Sequence, residues 1–442
     1  MRKGKKSYIW VILLALVVIV GAVLLGRTDE KVSAKEQDTK ETKFVVDSVT
    51  GLKTKTESKS IVVLSWNKVA NATGYKLYRR ADQEEYAFVS KLKKTSCRLK
   101  IKPDVVYHYK VVAYNDKGNE EVLAKPVFCK YYCNRISLSA AGDCTLGVDS
   151  RYNNNFNNMY NRQQDPEYFL KKVKKVFDKD DLTIVNFEGT LTNSNNRADK
   201  TFTFKGKKKY TKILTSSSVE VVNMANNHTM DFGTQGYKDT KAALKNAGIK
   251  YCVGSTIAYK TVRGTKVAFL GFNGLNQISK STIKRTINKA KSKGAKIIIA
   301  SFHWGIEREY YPNASQKSYA HYAIKNGANL VLGHHPHVLQ GVEEYKDSYV
   351  VYSLGNFCFG GNSNPGDKDT MIFTQDFFVD SNGKFIANAN AKVIPCSLSG
   401  HSNYNDFQPK ILTGEKKETV MGKIRKLSRN MGVKIKADGS IK

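Results

Sequence analysis

The sequence predicts a layered α/β domain preceded by a smaller all-β domain. Between residues 136 and 332, short apolar runs typical of buried strands alternate with stretches of helical periodicity, a rhythm typical of α/β layers. Between residues 44 and 132, short runs rich in β-branched and aromatic residues are separated by turn signals, which is typical of a β-sandwich. With 442 residues and 41% hydrophobic content, the chain is long enough to build both cores.

The N-terminus predicts a membrane anchor. A basic flank precedes an uncharged apolar run, Tyr8–Gly26, which is long enough to cross a bilayer as a helix. Because the basic flank stays in the cytoplasm, everything after Arg27 is expected outside the cell. The alternative is a signal peptide cleaved at Val32-Ser33-Ala34. We expect an uncleaved signal-anchor over residues 1–27 and a disordered polar spacer over residues 28–43.

The formal charge of +33 favours a polyanionic partner. Nucleic acid, an anionic envelope polymer and an anionic membrane surface all fit such a charge. An exported protein does not meet genomic DNA, so we exclude nucleic acid and expect an anionic envelope polymer.

The seven cysteines are odd in number and scattered, and none has the repeated CxxC spacing of a zinc ribbon. Cys129 and Cys133 could pair, but nothing requires it. We expect buried or inert thiols.

The β-rich segment, residues 44–132, contains three pieces that belong together. They are Leu64-Ser65-Trp66, Gly74-Tyr75-Lys76-Leu77-Tyr78 and Tyr107-His108-Tyr109-Lys110-Val111. They resemble a fibronectin type III domain. The resemblance implies that Trp66 is the core tryptophan and Tyr107 the tyrosine-corner residue. We expect this domain to be a spacer or docking module.

In the larger domain, residues 135–400, polar groups follow successive predicted strands. The strands end before Gly142-Asp143, Asn186-Phe187-Glu188, Asn226-Asn227-His228, His303-Trp304-Gly305 and His334-His335-Pro336-His337. Strand ends converge on one rim of an α/β sheet, so these groups are expected to lie together. Any one of these motifs is weak, but five in succession predict a site.

The chemistry of this set predicts a metal centre. Carboxylate, amide and imidazole ligands suit one or two divalent transition metals such as Mn, Fe or Zn. The predicted ligands are Asp143, Glu188, Asn227, His303, His335 and His337. His228 and Asp231 lie three residues apart, so the carboxylate could orient the imidazole as a catalytic dyad.

Six separated motifs carry a family resemblance. They are Gly142-Asp143-x-x-Leu146-Gly147, Asn186-x-Glu188, Ala225-Asn226-Asn227-His228-x-x-Asp231-Phe232-Gly233, His303-Trp304-Gly305-x-Glu307, Gly333-His334-His335-Pro336-His337 and Tyr352-Ser353-Leu354-Gly355-Asn356-Phe357. Together they resemble the CapA (PgsA) family of capsule and poly-γ-glutamate biosynthesis proteins, over roughly residues 136–394.

The resemblance implies a fold and a set of roles. The family's domain is similar to the calcineurin-like metallophosphoesterases, a four-layer α/β/β/α sandwich. By that similarity the six residues above are metal ligands, and His228 protonates or stabilises the leaving group. Two positions depart from the phosphoesterase pattern: its opening Asp-x-His is Asp143-Cys144-Thr145 here, and Glu188 replaces the usual bridging aspartate.

Several further residues have weaker predictions. We predict that Lys205, Glu307 and Asn356 bind substrate, although a lysine next to the run 207–209 is usually only solvated. His334 is expected to point away from the metal and His321 to be structural. The loop 360–366 is a candidate lid. Residues 401–442 are expected to form a polar extension with a closing amphipathic helix, for which membrane-surface contact is the alternative.

The leading hypothesis is a single-pass protein of the cell membrane with its C-terminal domains outside. It would act in synthesis, transfer or export of an anionic capsular polymer through a metal-dependent, hydrolase-like site, with other synthase subunits as further partners. The alternative keeps the fold without the chemistry: a polyanion-binding or scaffolding subunit of a synthase complex.

Overall fold

A computed structural model describes residues 45–117, 121–275 and 278–442. The predicted anchor and spacer lie outside these ranges, as does the apolar run on which the anchor prediction rests. Within these ranges, no helix has both the length and the apolar character needed to cross a membrane. The cysteines are free thiols, so Cys129 and Cys133 do not pair.

The first part of the described chain is a β-sandwich. Its strands are β1 (Lys53–Ser58), β2 (Ile61–Ser65), β3 (Gly74–Ala81), β4 (Ala87–Leu92), β5 (Ser96–Lys100), β6 (Tyr107–Asn115), β7 (Val122–Leu123) and β8 (Val127–Tyr131). One sheet has the order β1-β2-β5, and the other has the order β4-β3-β6-β7 with β8 also paired to β6. Residues alternate between buried and more exposed along β2 and along the first four residues of β6, as expected for two packed sheets.

The core of the sandwich contains both aromatic residues singled out in the sequence. Trp66 is buried and packs edge-on against Tyr75, with their ring centroids 5.3 Å apart. The hydroxyl of Tyr107 accepts a hydrogen bond of 2.9 Å from the backbone N–H of Lys102. Tyr107 therefore closes the loop that leads into its own strand.

The larger domain contains two further main sheets. Its strands are β9 (Cys133–Thr145), β10 (Leu182–Phe187), β11 (Thr190–Leu191), β12 (Lys205–Gly206), β13 (Val221–Asn223), β14 (Lys250–Cys252), β15 (Ala258–Val262), β16 (Thr265–Asn273), β17 (Ile297–His303), β18 (Leu330–His334), β19 (Val342–Tyr345), β20 (Ser348–Val351), β21 (Asn356–Phe359), β22 (Asp369–Asp380), β23 (Phe385–Ser397) and β24 (Lys410–Ile411). An eight-stranded sheet has the order β14-β13-β10-β9-β22-β23-β24, with β21 beside β9. A six-stranded sheet has the order β15-β16-β17-β18-β20-β19.

The helices of this domain are amphipathic and cover the sheets. They are α1 (Asn155–Gln163), α2 (Lys171–Phe177), α3 (Thr211–Thr215), α4 (Gly233–Asn246), α5 (Lys280–Ser292), α6 (Ala314–Lys325) and α7 (Gly414–Leu427). Two of them begin at side-chain caps. Ser279 caps α5, and Asn313 forms a capping box with Gln316 at the start of α6.

Three hydrophobic clusters define the layers. One cluster joins the facing sides of the two main sheets, with Ile184 on one side and Ile299 on the other. A second lies on the outer face of the eight-stranded sheet, under α2, α3 and α4. The third lies on the outer face of the six-stranded sheet, under α5 and α6. The order is helices, sheet, sheet, helices, and the prediction of a mixed α/β fold with several sheets is confirmed.

The C-terminal segment is part of the domain core. Helix α7 buries Val420, Met421, Ile424 and Leu427 in the cluster between the two sheets. The short strand β24 pairs with the end of β23. The predicted closing helix thus packs on the domain itself.

The β-sandwich is joined to the larger domain through a shared core. Phe378 on β22 is buried among the sandwich residues. Beside it, the hydroxyl of Thr56 donates a 2.6 Å hydrogen bond to Asp380 and lies 2.9 Å from the hydroxyl of Tyr131. Cys133, the first residue of β9, belongs to the same core. No unpacked linker separates the two along this boundary.

Candidate functional site

Two buried carboxylates come from neighbouring strands of the eight-stranded sheet. Asp143 lies near the end of β9 and Glu188 just after β10, and the two strands run parallel with Asn186 opposite Asp143. Both carboxylates are almost completely buried. Gly142 is required here, since a Cβ atom at this position would lie 1.9 Å from the backbone oxygen of Gly355.

The imidazoles come from the six-stranded sheet. His303 ends β17 and His334 ends β18, directly opposite it in the parallel register. His335 and His337 lie in the turn that follows, and both have positive φ, +97° and +57°. Such values are strained for residues other than glycine and persist only where the surroundings enforce them. The turn therefore aims two imidazoles back toward the opposite sheet.

Asp143 is the meeting point of the two sheets. Its carboxylate lies 3.2 Å from Nδ1 of His334 and 3.4 Å from Nδ1 of His337, and it faces the backbone N–H of His335 at 3.4 Å. Burial alone would raise the pKa of Asp143, but the side chains of His334 and His337 outweigh burial and hold that pKa well below its usual range.

The pKa of Glu188 is shifted in the opposite direction. Burial, together with the negative charge of Asp143, raises the pKa of Glu188 to about 8. Its Oε1 lies 3.5 Å from Nε2 of His303. Burial also lowers the pKa of His303 well below its ordinary value, so this imidazole is neutral. A cation near Glu188 would relieve the unfavourable burial of its charge.

A layer of amides supports the carboxylates from behind. The amide nitrogen of Asn186 donates to Asp143 at 2.9 Å and to Glu188 at 3.2 Å. Its amide oxygen accepts in turn from Asn223 at 2.9 Å. Asn226 donates to the backbone oxygen of Phe187 at 2.7 Å, which holds the loop after β13 against the end of β10. The carboxylates cannot turn away without breaking this network.

The residues present fit a divalent metal. Among the described residues, buried atoms without a hydrogen-bond partner include His303 Nε2, His335 Nδ1 and Asn227 Oδ1. Orphaned polar atoms of this kind are uncommon and need an explanation, such as an ion. Potential ligand atoms of Asp143, Glu188 and His337 lie within 4.8 Å of one another, and so do those of Glu307, His335 and His337. His337 belongs to both groups, so the donor set suits one ion or two neighbouring ions.

A second constellation, built on His228, lies beside this donor set. Nδ1 of His228 is 2.8 Å from Oδ2 of Asp231, and Asp231 is fully buried. The same carboxylate accepts a 2.7 Å hydrogen bond from Lys200 through Oδ1. Burial lowers the pKa of His228, although Asp231 opposes this effect. Since Nδ1 faces Asp231, Nε2 is the nitrogen that remains for the cavity.

His228 and His337 open onto a cavity of about 630 Å³. His228, His337, Glu307 and Asn356 are among its lining residues, and Phe204 lines the wall against the ring of His228, with centroids 4.4 Å apart. Asn356 contacts Nδ1 of His337 at 2.8 Å, so it orients a site imidazole as well as lining the cavity.

The rim of the cavity is tied to the C-terminal helix. The loop 361–367, which overlaps the predicted lid (residues 360–366) in all but its last residue, lines one side. Asp367 in this loop accepts a 2.9 Å hydrogen bond from the hydroxyl of Tyr310, which lies on the facing rim. Lys423 of α7 contacts Asp367 at 2.7 Å and Asp369 at 2.8 Å. The rim is therefore held by ion pairs to a helix outside the cavity.

The structure brings together most of the predicted site residues and separates one of them. Asp143, Glu188, His303, His335 and His337 form the cluster described above. Asn227 and His228 stand next to it, with Asp231 behind, and Glu307 and Asn356 line the same cavity. Lys205 instead faces a separate, smaller cavity, where its ammonium group donates to Ser194 O and Asn195 Oδ1, both at 3.0 Å.

Three residues of the site had no such role in the sequence prediction. His334 was expected to point away, but it contacts Asp143 because it ends a strand on the side that faces the other sheet. Asn186 was only part of a motif, yet it holds both carboxylates. Lys200 lies in a polar loop without periodicity. A lysine that meets Asp231 from 31 residues away leaves no local signal in the sequence.

Comparison with known proteins gives consistent matches. Residues 137–361 match the family described as "Bacterial capsule synthesis protein PGA_cap". The chain is 32% identical over 248 residues to the PGA biosynthesis protein CapA of Bacillus subtilis (strain 168), covering 51% of this chain and 63% of that protein. It is 32% identical over 254 residues to the capsule biosynthesis protein CapA of Bacillus anthracis, covering 51% of this chain and 60% of that protein. A probable polyglutamine synthesis accessory protein of Mycobacterium tuberculosis is 26% identical over 209 residues, covering 40% of this chain and 55% of that protein. The matched region thus spans less than two thirds of each relative.

Proposed function

Because the chain belongs to the bacterial capsule synthesis protein family PGA_cap, we propose that it acts in the synthesis or export of a poly-γ-glutamate-type anionic polymer of the cell envelope. The names of its relatives refer to capsule and to polymer synthesis. The formal charge of +33 supports an acidic polymer as the partner. Other subunits of a synthase complex are proposed as further partners.

The proposed activity is metal-dependent hydrolysis or transfer within the larger cavity. One observation carries it: carboxylates from one sheet and imidazoles from the other meet at Asp143, beside a cavity large enough for a polymer unit. The proposed ligands are the six residues named in the sequence, Asp143, Glu188, Asn227, His303, His335 and His337. A bound Mn, Fe or Zn ion would supply Lewis acidity toward a carbonyl or phosphoryl oxygen of the polymer.

The residues of this chain supply the proton handling. Asp231 holds Nδ1 of His228 at 2.8 Å, which leaves Nε2 to exchange a proton with the reacting group. The backbone N–H of Phe204 donates to the same carboxylate at 2.6 Å, so the wall of the cavity and the catalytic imidazole are positioned by one side chain. Glu307 and Asn356 are proposed to contact the substrate from the rim.

We also propose that the site lies outside the cell. Tyr8–Gly26 is proposed as a signal-anchor, and the β-sandwich as a fibronectin type III-like spacer. The buried Trp66 and the hydrogen bond to the hydroxyl of Tyr107 support the second assignment. Protease added to intact cells should digest the protein, and washing should not release it. Recovery of a soluble form that begins near Lys35 would instead show cleavage.

The activity is tested on the purified full-length chain. We expect bound transition metal by elemental mass spectrometry, and new chain ends when poly-γ-glutamate of defined length is added. His335→Ala and His337→Ala should each lose most of the metal and the turnover. His401→Ala is the matched control, since its side chain is 49% exposed and lies outside the cluster.

The scaffold alternative makes the opposite prediction. In this alternative the chain still binds the acidic polymer. Added salt weakens that binding steeply, because salt screens electrostatic attraction. If the native chain holds no metal and His335→Ala leaves polymer production in the cell intact, the catalytic proposal fails and the scaffold remains.

A further inference from the structure

A second cavity, of about 210 Å³, lies beside the first. Two segments of the chain contribute to both. In the extended segment 202–205, Phe202 and Phe204 line the larger cavity while Thr203 and Lys205 line the smaller one. In the segment 148–153, residues 148–151 line the smaller cavity, and Tyr152 and Asn153 line the larger one. The two cavities therefore share a wall.

The shared wall is held firmly on both sides. Val148 and Lys205 exchange backbone hydrogen bonds of 3.1 and 3.0 Å. The N–H of Thr203 donates to Asp149 at 2.9 Å, on the side of the smaller cavity. The N–H of Phe204 donates to Asp231 at 2.6 Å, on the side of the larger one. Consecutive amides of the wall are thus bound by one carboxylate from each side.

The smaller cavity is rich in positive charge. Arg151, Arg197 and Lys205 line it, and Asp149 is the one carboxylate among its lining residues, so three positive charges and one negative charge leave a formal surplus of two. Arg151 is neutralised, because it forms a two-pronged ion pair with Asp149 at 3.0 and 2.7 Å.

The other two cations lack such a partner in the described part of the chain. Arg197 approaches Asp149 only to 3.7 Å, and its hydrogen bonds go to backbone carbonyls such as that of Ala198 at 3.0 Å. Its Nε atom is buried and meets no acceptor there. The ammonium group of Lys205 likewise donates to neutral oxygens. Two cations that meet mainly neutral acceptors beside an open space are suited to receive an anion.

We infer that the smaller cavity is a subsite for a carboxylate of the same acidic polymer whose neighbouring unit occupies the larger cavity. This inference rests on the proposed function. Thr201 is exposed, and its carbonyl accepts from Arg151, which lines the smaller cavity, and from the hydroxyl of Tyr152, which lines the larger one, so Thr201 lies between the two. A polymer that crosses Thr201 places one carboxylate at Arg197 and Lys205 while an adjacent bond lies near His228 and His337.

The test compares ligands of different length on the full-length chain. The probes are a fluorescent γ-linked glutamate decamer, free glutamate and inorganic phosphate. Arg197→Gln and Lys205→Gln should each weaken decamer binding by about tenfold or more, and should weaken it more than the binding of free glutamate, which is too short to occupy both cavities at once. Lys207→Gln is the control, because Lys207 is exposed, lies two residues from Lys205 and does not line the cavity. Thermal melting verifies that each variant is folded, and Arg197→Lys should restore binding in part.

The outcomes separate this inference from the proposed activity. Equal weakening by Lys207→Gln would show that overall charge, and not the subsite, binds the polymer. If the Arg197→Gln and Lys205→Gln variants bind the decamer as tightly as the native chain, while His337→Ala still loses turnover, the subsite alone would be overturned. Loss of decamer binding in Arg197→Gln, in a chain that shows no metal or turnover, would leave the subsite standing without the activity. If inorganic phosphate binds at Arg197 more tightly than the decamer does, the assignment of the subsite to a carboxylate would be overturned.

Discussion

The carboxylate of Asp231 lies 2.8 Å from the imidazole of His228. It does not serve the imidazole alone, since Lys200 contacts its other oxygen at 2.7 Å. One buried acid therefore fixes the orientation of His228 and anchors a loop of the cavity wall. Replacing His228 and replacing Asp231 should therefore have different effects on the rate, the metal content and the stability.

Replacing His228 should affect turnover and spare the metal. In His228→Ala, we expect the rate to fall by about 10²–10⁴-fold, because proton transfer by a positioned imidazole contributes this much. Metal content should match the native chain, since His228 belongs to neither of the two groups of potential ligand atoms that lie within 4.8 Å of one another. Elemental analysis and single-turnover kinetics measure the two quantities. Joint loss of metal and rate would place His228 among the ligands instead.

Replacing Asp231 should cost stability as well as rate. Asp231→Asn leaves Lys200 without its negatively charged partner. It also leaves a single side-chain oxygen to accept from both Lys200 and the N–H of Phe204. The free energy of unfolding should therefore fall by about 3 kcal/mol. Urea denaturation measures this change. Asp239→Asn is the control: its contact with Lys208, at 3.2 Å, is near the surface, and its loss should cost less than about 1 kcal/mol. Equal losses in the two variants would contradict the assigned role of Asp231.

Two neighbouring aspartates should give stability opposite dependences on pH. Burial, together with the nearby carboxylates of Glu220 and Asp181, raises the pKa of Asp180 to about 7. The unfolded chain loses this proton near pH 4, so the contribution of Asp180 to stability falls as pH rises from about 4 to 7. Asp180→Asn should become more stable than the native chain over that interval, by at most about 4 kcal/mol, as measured by denaturation at each pH.

Asp181 is the internal control for that measurement. Burial would raise the pKa of Asp181, but the two-pronged contact with Arg263, at 2.8 and 2.7 Å, lowers it. Its charged form therefore stabilises the fold above about pH 4, and this contribution is lost as pH falls further. Asp181→Asn should be less stable than the native chain at neutral pH. The same sign in both variants would refute the assignment.

Releasing the rim of the cavity should weaken substrate binding more than catalysis. Lys423→Ala leaves Asp367 and Asp369 without their shared cation, so the loop 361–367 should loosen. We expect KM for the polymer to rise several-fold while kcat changes little, together with faster hydrogen exchange in the loop. Lys423→Arg should rescue KM, and Lys426→Ala, exposed on the same helix, should behave as the native chain. A change confined to kcat would argue against a positioning role.

Strand and helix positions were largely readable from periodicity. Apolar residues repeat at helical spacing over 281–293 and 316–326, and the helices that this spacing predicts differ by only one or two residues from α5 and α6. Helix α1 was missed, since its asparagine-rich sequence has little helical preference. The apolar spacing over 169–177 predicts one continuous helix, but the chain is interrupted at Leu170, between a 3₁₀ turn and α2, a detail that the spacing does not encode.

The convergence of the site was predictable in part. Parallel pairing brings Asn186 beside Asp143 in one sheet and His303 beside His334 in the other. The prediction of a single rim on one sheet was wrong, because the two pairs belong to two different sheets. Which way a side chain points at the end of a strand depends on a single residue of register, as at His334. Lys205 faces the smaller cavity for the same reason, because successive side chains of the segment 202–205 alternate between the two cavities.

Strand β9 links the sandwich to the site without interruption. Its first residue, Cys133, is in the sandwich core, and its eleventh, Asp143, is the acid at which the two sheets meet. At about 3.3 Å per residue, roughly 33 Å of hydrogen-bonded backbone separates the two points. The strand therefore fixes the distance between the sandwich core and Asp143, and a force applied to the sandwich would be transmitted to the sheet that carries Asp143.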